Sequence, residues 1–182
     1  TTETIKDPKK YIKLGSVLPK GNLAWRNNFS WNNFNAGFLV SARLGGVVFS
    51  RTQAMLDYYG VSEATAEARD HGYVPVNGND HVNPETWYGI IGGGTSVPQY
   101  YTYSATNVRL QELSLTYSLP KKWLGDVFNN ATISFVGRNL FMFYRKAPFD
   151  PDMNGSTGTY NRSDFFMAPS LRNLGFSIKF SL

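Results

Sequence analysis

The stretch Leu174-Gly-Phe-Ser-Ile-Lys-Phe-Ser-Leu182 constrains the fold more than any other part of the chain. Leu174, Phe176, Ile178, Phe180 and Leu182 alternate without a slip against Gly175, Ser177, Lys179 and Ser181. A period of two is the mark of a strand with one apolar and one polar face. Two environments produce it: a sheet with one face on a soluble core, and a membrane barrel with lipid outside and a polar lumen inside.

The same alternation recurs upstream. Strands are expected at about 23–31, 34–49, 107–119, 131–144 and 171–182. In the first, Leu23, Trp25, Phe29 and Trp31 share a face. In the second, Phe34, Ala36, Phe38, Val40, Ala42, Leu44 and Val48 do. In the fourth, Ile133, Phe135, Phe141 and Phe143 are grouped with Gly137 and Asn139. Asn32-Asn33 predicts a tight hairpin turn, because Asn tolerates the left-handed backbone that two-residue loops need. The second strand is far longer than the ~5–6 residues usual in soluble sheets.

The connections alternate between short and long. Two long ones span about 50–106 and 145–170, and the first carries helix-like runs at Gln53–Tyr59 and Ser62–Arg69. Membrane barrels keep short turns on one side and long extracellular loops on the other. Trp31, Phe34, Tyr117, Trp123 and Phe180 fall near the short-turn side, where an interfacial aromatic girdle belongs. Arg26, Arg43, Arg138 and Lys179 lie opposite the apolar positions, where a lumen tolerates charge. The competing reading is a soluble β-sandwich with these aromatics in its core. Five strands cannot close a membrane barrel, which needs at least about eight, and open edges in lipid are prohibitive. On the barrel reading, the chain is a piece of a larger wall.

Composition narrows the function classes. With no cysteine among 182 residues, thiolate metal sites and disulfides are excluded. The net charge of +5 is spread thinly, with charged residues only 17% of the chain, so no nucleic-acid footprint is expected. Mean hydropathy is −0.31, and no run reaches the ~18 apolar residues of a membrane helix. No catalytic constellation, cofactor motif or metal site is expected. His71 and His81 have no metal-binding spacing. Asp150 and Asp152 around Pro151 suggest a rigid turn rather than a cation site, and Gly92-Gly-Gly94 lacks the Lys-Ser/Thr of a phosphate loop. Trp87, Tyr88, Tyr100, Tyr101 and Tyr103, in the first long loop, are candidate contacts for sugar rings or for a protein partner; loop packing explains them equally well.

Several motifs in order resemble the carboxyl-terminal region of SusC/RagA-type TonB-dependent outer-membrane transporters. They are Asn107-Val-Arg-Leu-Gln-Glu-Leu-Ser-Leu-Thr-Tyr-Ser-Leu-Pro-Lys-Lys-Trp123, Val136-Gly-Arg-Asn-Leu-Phe141, Lys146-Ala-Pro-Phe-Asp-Pro151 and Pro169-Ser-Leu-Arg-Asn-Leu-Gly-Phe176. Phe38-Leu-Val-Ser-Ala-Arg-Leu-Gly-Gly-Val-Val48 and Gln53-Ala-Met-Leu-Asp-Tyr-Tyr-Gly60 extend the likeness. The resemblance implies an all-β fold: an antiparallel transmembrane β-barrel segment, about five strands of a ~22-strand barrel, with long extracellular loops carrying short helices. It implies a bacterial outer-membrane location and no enzymatic activity. It also implies a SusD-like surface lipoprotein as lid, a plug within the same barrel, TonB as energy source through parts outside this chain, and an oligosaccharide or peptide substrate. Phe176, Ile178, Phe180 and Leu182 would form the barrel-assembly signal. The family often ends on an aromatic residue, and this chain departs from that pattern with Leu182. The alternatives are a soluble β-sandwich carbohydrate-binding module and, more remotely, a passive porin.

Overall fold

The computed structural model describes residues 12–78, 80–94, 97–125, 128–152 and 163–181. The chain divides into two units, a sheet unit and a loop unit.

The sheet unit holds β1 (Gly21–Trp31) and β2 (Phe34–Leu44). The loop unit follows, with β3 (Val47–Ser50), α1 (Arg51–Tyr58), α2 (Glu63–His71), β4 (Val74–Val76), β5 (Asp80–Val82), α3 (Pro84–Ile91) and β6 (Thr102–Ser104). The chain returns to the sheet with β7 (Asn107–Ser118) and β8 (Asn130–Arg145). It passes through β9 (Ser163–Asp164) and ends the described residues in β10 (Asn173–Ser181).

The large sheet has the order β1-β2-β7-β8-β10, and every neighbouring pair is antiparallel. Its strands run to 16 residues in β8, well beyond soluble-sheet lengths. The turn at Asn32-Asn33 closes β1 on β2, with Asn32 at φ 50°. Trp31 pairs with Phe34, whose ring lies 4.6 Å from that of Tyr117. Phe180 meets Phe128 at 5.2 Å on the same short-turn end of the sheet. An aromatic band therefore crosses this rim.

Among the described residues, no second layer covers the apolar face. Trp25, Phe29, Trp31, Phe141, Phe143, Phe176 and Phe180 are each more than half exposed. A sandwich would bury one face of every strand, whereas in β10 all nine residues are exposed. Nonpolar side chains presented at this density need a nonaqueous neighbour. The sheet is a segment of a transmembrane β-barrel wall, as the resemblance implied; the alternation alone had allowed a soluble sheet as well.

The structure departs from the expected strand at 34–49. The strand stops at Leu44, and β3 belongs to a separate three-stranded sheet with β6 and β9. Gly45 and Gly46 adopt φ values of 76° and 87°. This left-handed pair breaks the extended chain at small steric cost, so Val48 is core of the loop unit rather than part of the apolar wall.

A bulge explains why the alternation in β7 falters above Leu113. Gln111 is skipped in the pairing: Leu39 faces Glu112, while Val40 faces Leu110. The extra residue switches the side-chain parity. Below it the odd residues Leu113, Leu115 and Tyr117 join the apolar face. Above it Val108 and Leu110 do, and Arg109 turns to the polar side beside Ser41. Asn139 in β8 sits at a matching irregularity, with φ 54°. Its side chain reaches Arg109, so it does not share the face of Ile133 and Phe135 as expected.

Ile178 lies near the middle of β10 on the apolar side, and Ser177 faces the other way. Ile178→Arg is expected to block assembly, at a cost of about 2–4 kcal/mol if the site lies near the bilayer midplane. Ser177→Arg should be far milder. Heat-modifiable migration of the intact protein on SDS gels reads both; equal defects would contradict this orientation.

Candidate functional site

Two clusters hold the polar groups that the two faces of the sheet do not explain. The first lies on the polar side of the sheet, at its long-connection end. Arg109 sits at its centre, 5% exposed. Every guanidinium nitrogen has a partner. Nε donates to Asn107 Oδ1 at 3.3 Å and Nη1 to Asn139 Oδ1 at 3.1 Å. Nη2 meets Asp150 at 2.7 Å and Asp152 at 2.8 Å. Asp152 also pairs with Arg43 at 3.1 Å. Asn139 donates to Ser170 Oγ at 2.7 Å and to the Leu171 carbonyl at 3.3 Å. Ser170 in turn donates to Asp150.

This cluster latches the turn Ala147–Asp152 onto the sheet. Pro151 is fully buried within it, and the Asp152 amide donates to Asp150 at 3.0 Å. The two carboxylates are thus occupied by arginines and a serine, in agreement with the rigid-turn reading. Burial alone would raise the pKa of Asp150. The hydrogen bonds from Ser170, Arg109 and the Asp152 amide, together with the Arg109 charge, outweigh it and hold the carboxyl below the usual range. Lower on the same face, Glu112 takes both Arg26 at 3.1 Å and Arg138 at 3.3 Å. These more exposed pairs contribute less.

The second cluster is in the loop unit. Ser50 caps α1 by accepting from the Gln53 amide, and Ser62 caps α2 by accepting from Thr65. The segment carrying Trp87 and Tyr88, expected to be loop, is helix α3. Asn83 caps it and Pro84 occupies its first turn. That Asn-Pro-Glu start was legible as a helix signal. Gly92 ends α3 against α1: a Cβ there would come within 2.5 Å of the Ala54 carbonyl oxygen. The glycine serves close helix packing rather than phosphate binding.

The five candidate aromatics have different fates. Tyr101 is 2% exposed and packs with Ala54 and Ile91. It is core, which corrects its expected role as a surface contact. Trp87 and Tyr88 are half-buried against that core. Tyr88 Oη donates to the Ala64 carbonyl at 3.4 Å, joining α3 to α2. Tyr100 is exposed and meets Trp87 edge-on at 5.7 Å, so these two remain an aromatic pair at the surface. Tyr103 is half-buried in β6.

Sequence reasoning missed a buried acid whose charge reaches three of these tyrosines. Asp57, 6% exposed at the end of α1, accepts from Gln53 Nε2 at 2.8 Å. Burial, reinforced by the charge of Asp57, pushes the hydroxyl pKa values of Tyr88, Tyr101 and Tyr103 above the usual tyrosine value. All three stay protonated at neutral pH. An acidic residue inside a helical run carries no visible mark of burial, so no sequence signal pointed to it.

Of the four residues given to the assembly signal, Phe176, Ile178 and Phe180 are exposed on the apolar side of β10. Leu182 lies outside the described residues.

Known proteins add to this geometry. No family model matches the chain. It is 26% identical over 177 residues to TonB-dependent receptor P3 of Formosa agariphila, a match that covers 92% of the chain and 17% of that receptor. Solved structures of the RagAB peptide importer share the fold. The open-open state gives a TM-score of 0.65 at 18% identity, covering 92% of the chain and 18% of that structure's chain. The closed-closed state gives 0.68 at 17% identity with the same coverage. The chain resembles SusC/RagA-type TonB-dependent transporters in sequence and in fold. It spans less than a fifth of the length of these relatives.

Two outcomes follow for the clusters. Asp150→Asn should cost about 3–5 kcal/mol by leaving Arg109 short of countercharge, and hydrogen exchange across 147–152 should rise. Because the folded pKa of Asp150 lies below the unfolded one, the contribution of the latch is complete above the ordinary carboxylate value. It fades as pH falls through the lower folded value; exchange measured against pH reads this, and Asp150→Asn should remove the dependence. In the loop unit, Tyr101→Ala should cost about 3–5 kcal/mol and strip exchange protection from α1 and α3, while Tyr100→Ala leaves that protection intact.

Proposed function

We infer that the chain is part of an active transporter of the bacterial outer membrane. The observation that carries this reading is the uncovered apolar face of a five-stranded antiparallel sheet whose opposite face is lined by paired charges. Such a sheet separates lipid from a polar lumen. The sequence and fold likeness to a TonB-dependent receptor and to the RagAB importer supports the finer reading.

On that reading, the sheet is fixed wall, and the lumen-side arginines face a plug in the same barrel. The connection between β2 and β7 is read as extracellular, because the tight turn and the aromatic band lie at the other ends of these strands. There it meets a SusD-like lipoprotein lid and the substrate, an oligosaccharide or a peptide. TonB supplies the energy through parts of the protein beyond this chain. Chemistry on the substrate has no place in this mechanism: passage depends on binding and gating. The soluble carbohydrate-binding module is not favoured, because its sheet would bury the face that is exposed here.

Expression of the intact protein in a bacterial host tests the reading. The protein should fractionate with the outer membrane and resist alkaline extraction. Uptake of its substrate should stop when TonB is deleted. A water-soluble, monomeric product would overturn the barrel assignment, and uptake that persists without TonB would reassign the protein as a passive porin.

A further inference from the structure

The helices of the loop unit line a half-open cavity of about 580 Å³ within residues 57–89. That volume lies in the range of small-molecule sites. Asp57 lines it, almost wholly withdrawn from water. Its carboxylate has neutral donors in Gln53 and the Tyr101 hydroxyl and, among the described residues, no cation within ion-pair distance. Arg69 lines the same cavity, but its Nη1 donates to the Gly60 carbonyl at 2.6 Å.

A buried carboxylate without countercharge favours any cation that can reach it. The walls suit the same occupant. Tyr58 and Tyr59 pack edge to face at 5.0 Å, and Tyr88 closes another side. Aromatic faces attract ammonium and guanidinium groups. Glu85 adds a second carboxylate at the exposed side of the lining. A neutral polyol would gain hydrogen bonds here but leave the charge of Asp57 unanswered.

We propose that this cavity binds the cationic group of a larger ligand, an ammonium or guanidinium, with Asp57 as counter-ion and Tyr58, Tyr59 and Tyr88 as walls. The biological meaning of this site rests on the transport reading, but its binding can be measured independently of transport.

Isothermal titration of the intact protein in detergent with L-argininamide is the test, with maltotriose as the neutral comparison. One saturable site for L-argininamide is expected, with maltotriose unable to displace it. Asp57→Asn should weaken the affinity about tenfold or more, and Glu85→Gln about threefold, in line with the loss of a buried and of an exposed charge partner. If Asp57→Asn fails to fold, Tyr59→Ala and Glu85→Gln carry the test, because both side chains are exposed; each should weaken binding. Absence of saturable binding, unchanged affinity in both of these variants, or displacement by maltotriose would overturn the proposal. None of these results bears on membrane insertion or on TonB dependence.

Discussion

The Arg109 guanidinium is the junction on which the upper part of the sheet depends. It binds Asn107 beside it in β7, Asn139 in β8 and the Asp150–Asp152 turn, and through Asn139 and Asp150 it is linked to Ser170 before β10. These are the segments whose motifs first suggested the family. A rigid, planar five-donor cation fixes several segments in one geometry, which the three rotatable donors of Lys do less well. Buried polar networks are costly when half-satisfied and specifying when complete. This one is complete at Arg109, while Arg43, which joins it through Asp152, keeps two buried guanidinium nitrogens without a partner among the described residues.

The bulge at Gln111 is what makes the junction possible. A regular β7 would put Arg109 on the face of Leu113 and Leu115, toward lipid. One inserted residue turns it to the polar side, and Ser41 Oγ donates to the Gln111 side chain at 3.1 Å on that same side. The positive φ of Asn139 does the corresponding work in β8. The upper wall is therefore irregular for a reason: departures from ideal pairing, those at Gln111 and Asn139 among them, allow a buried ionic latch on one face while the apolar band continues on the other.

What the sequence revealed and concealed follows from the same physics. The lower half of the sheet was readable because its alternation is unbroken, as in β10 and in β7 from Leu113 down. The aromatic rim followed from the positions of the tight turns. Gly45-Gly46 hid the end of β2, because a left-handed pair interrupts a strand without interrupting its apolar pattern. The bulges were hidden because a parity change resembles a lapse in alternation. In the loop unit, five aromatics looked alike on paper. Only tertiary packing separated core Tyr101 from exposed Tyr100, its immediate neighbour, and no periodicity marks Asp57 as buried.

The two units solve opposite problems. The sheet leaves its apolar side chains uncovered and buries charge at its latch, which is stable only if another medium covers the apolar face. The loop unit is built like a small aqueous domain: capped helices, a core of Ala54, Ile91 and Tyr101, and protonated tyrosines held near a buried acid. A single soluble domain has no use for this division. A barrel wall with a folded insertion does, and Gly45-Gly46 is where the chain leaves the one unit for the other.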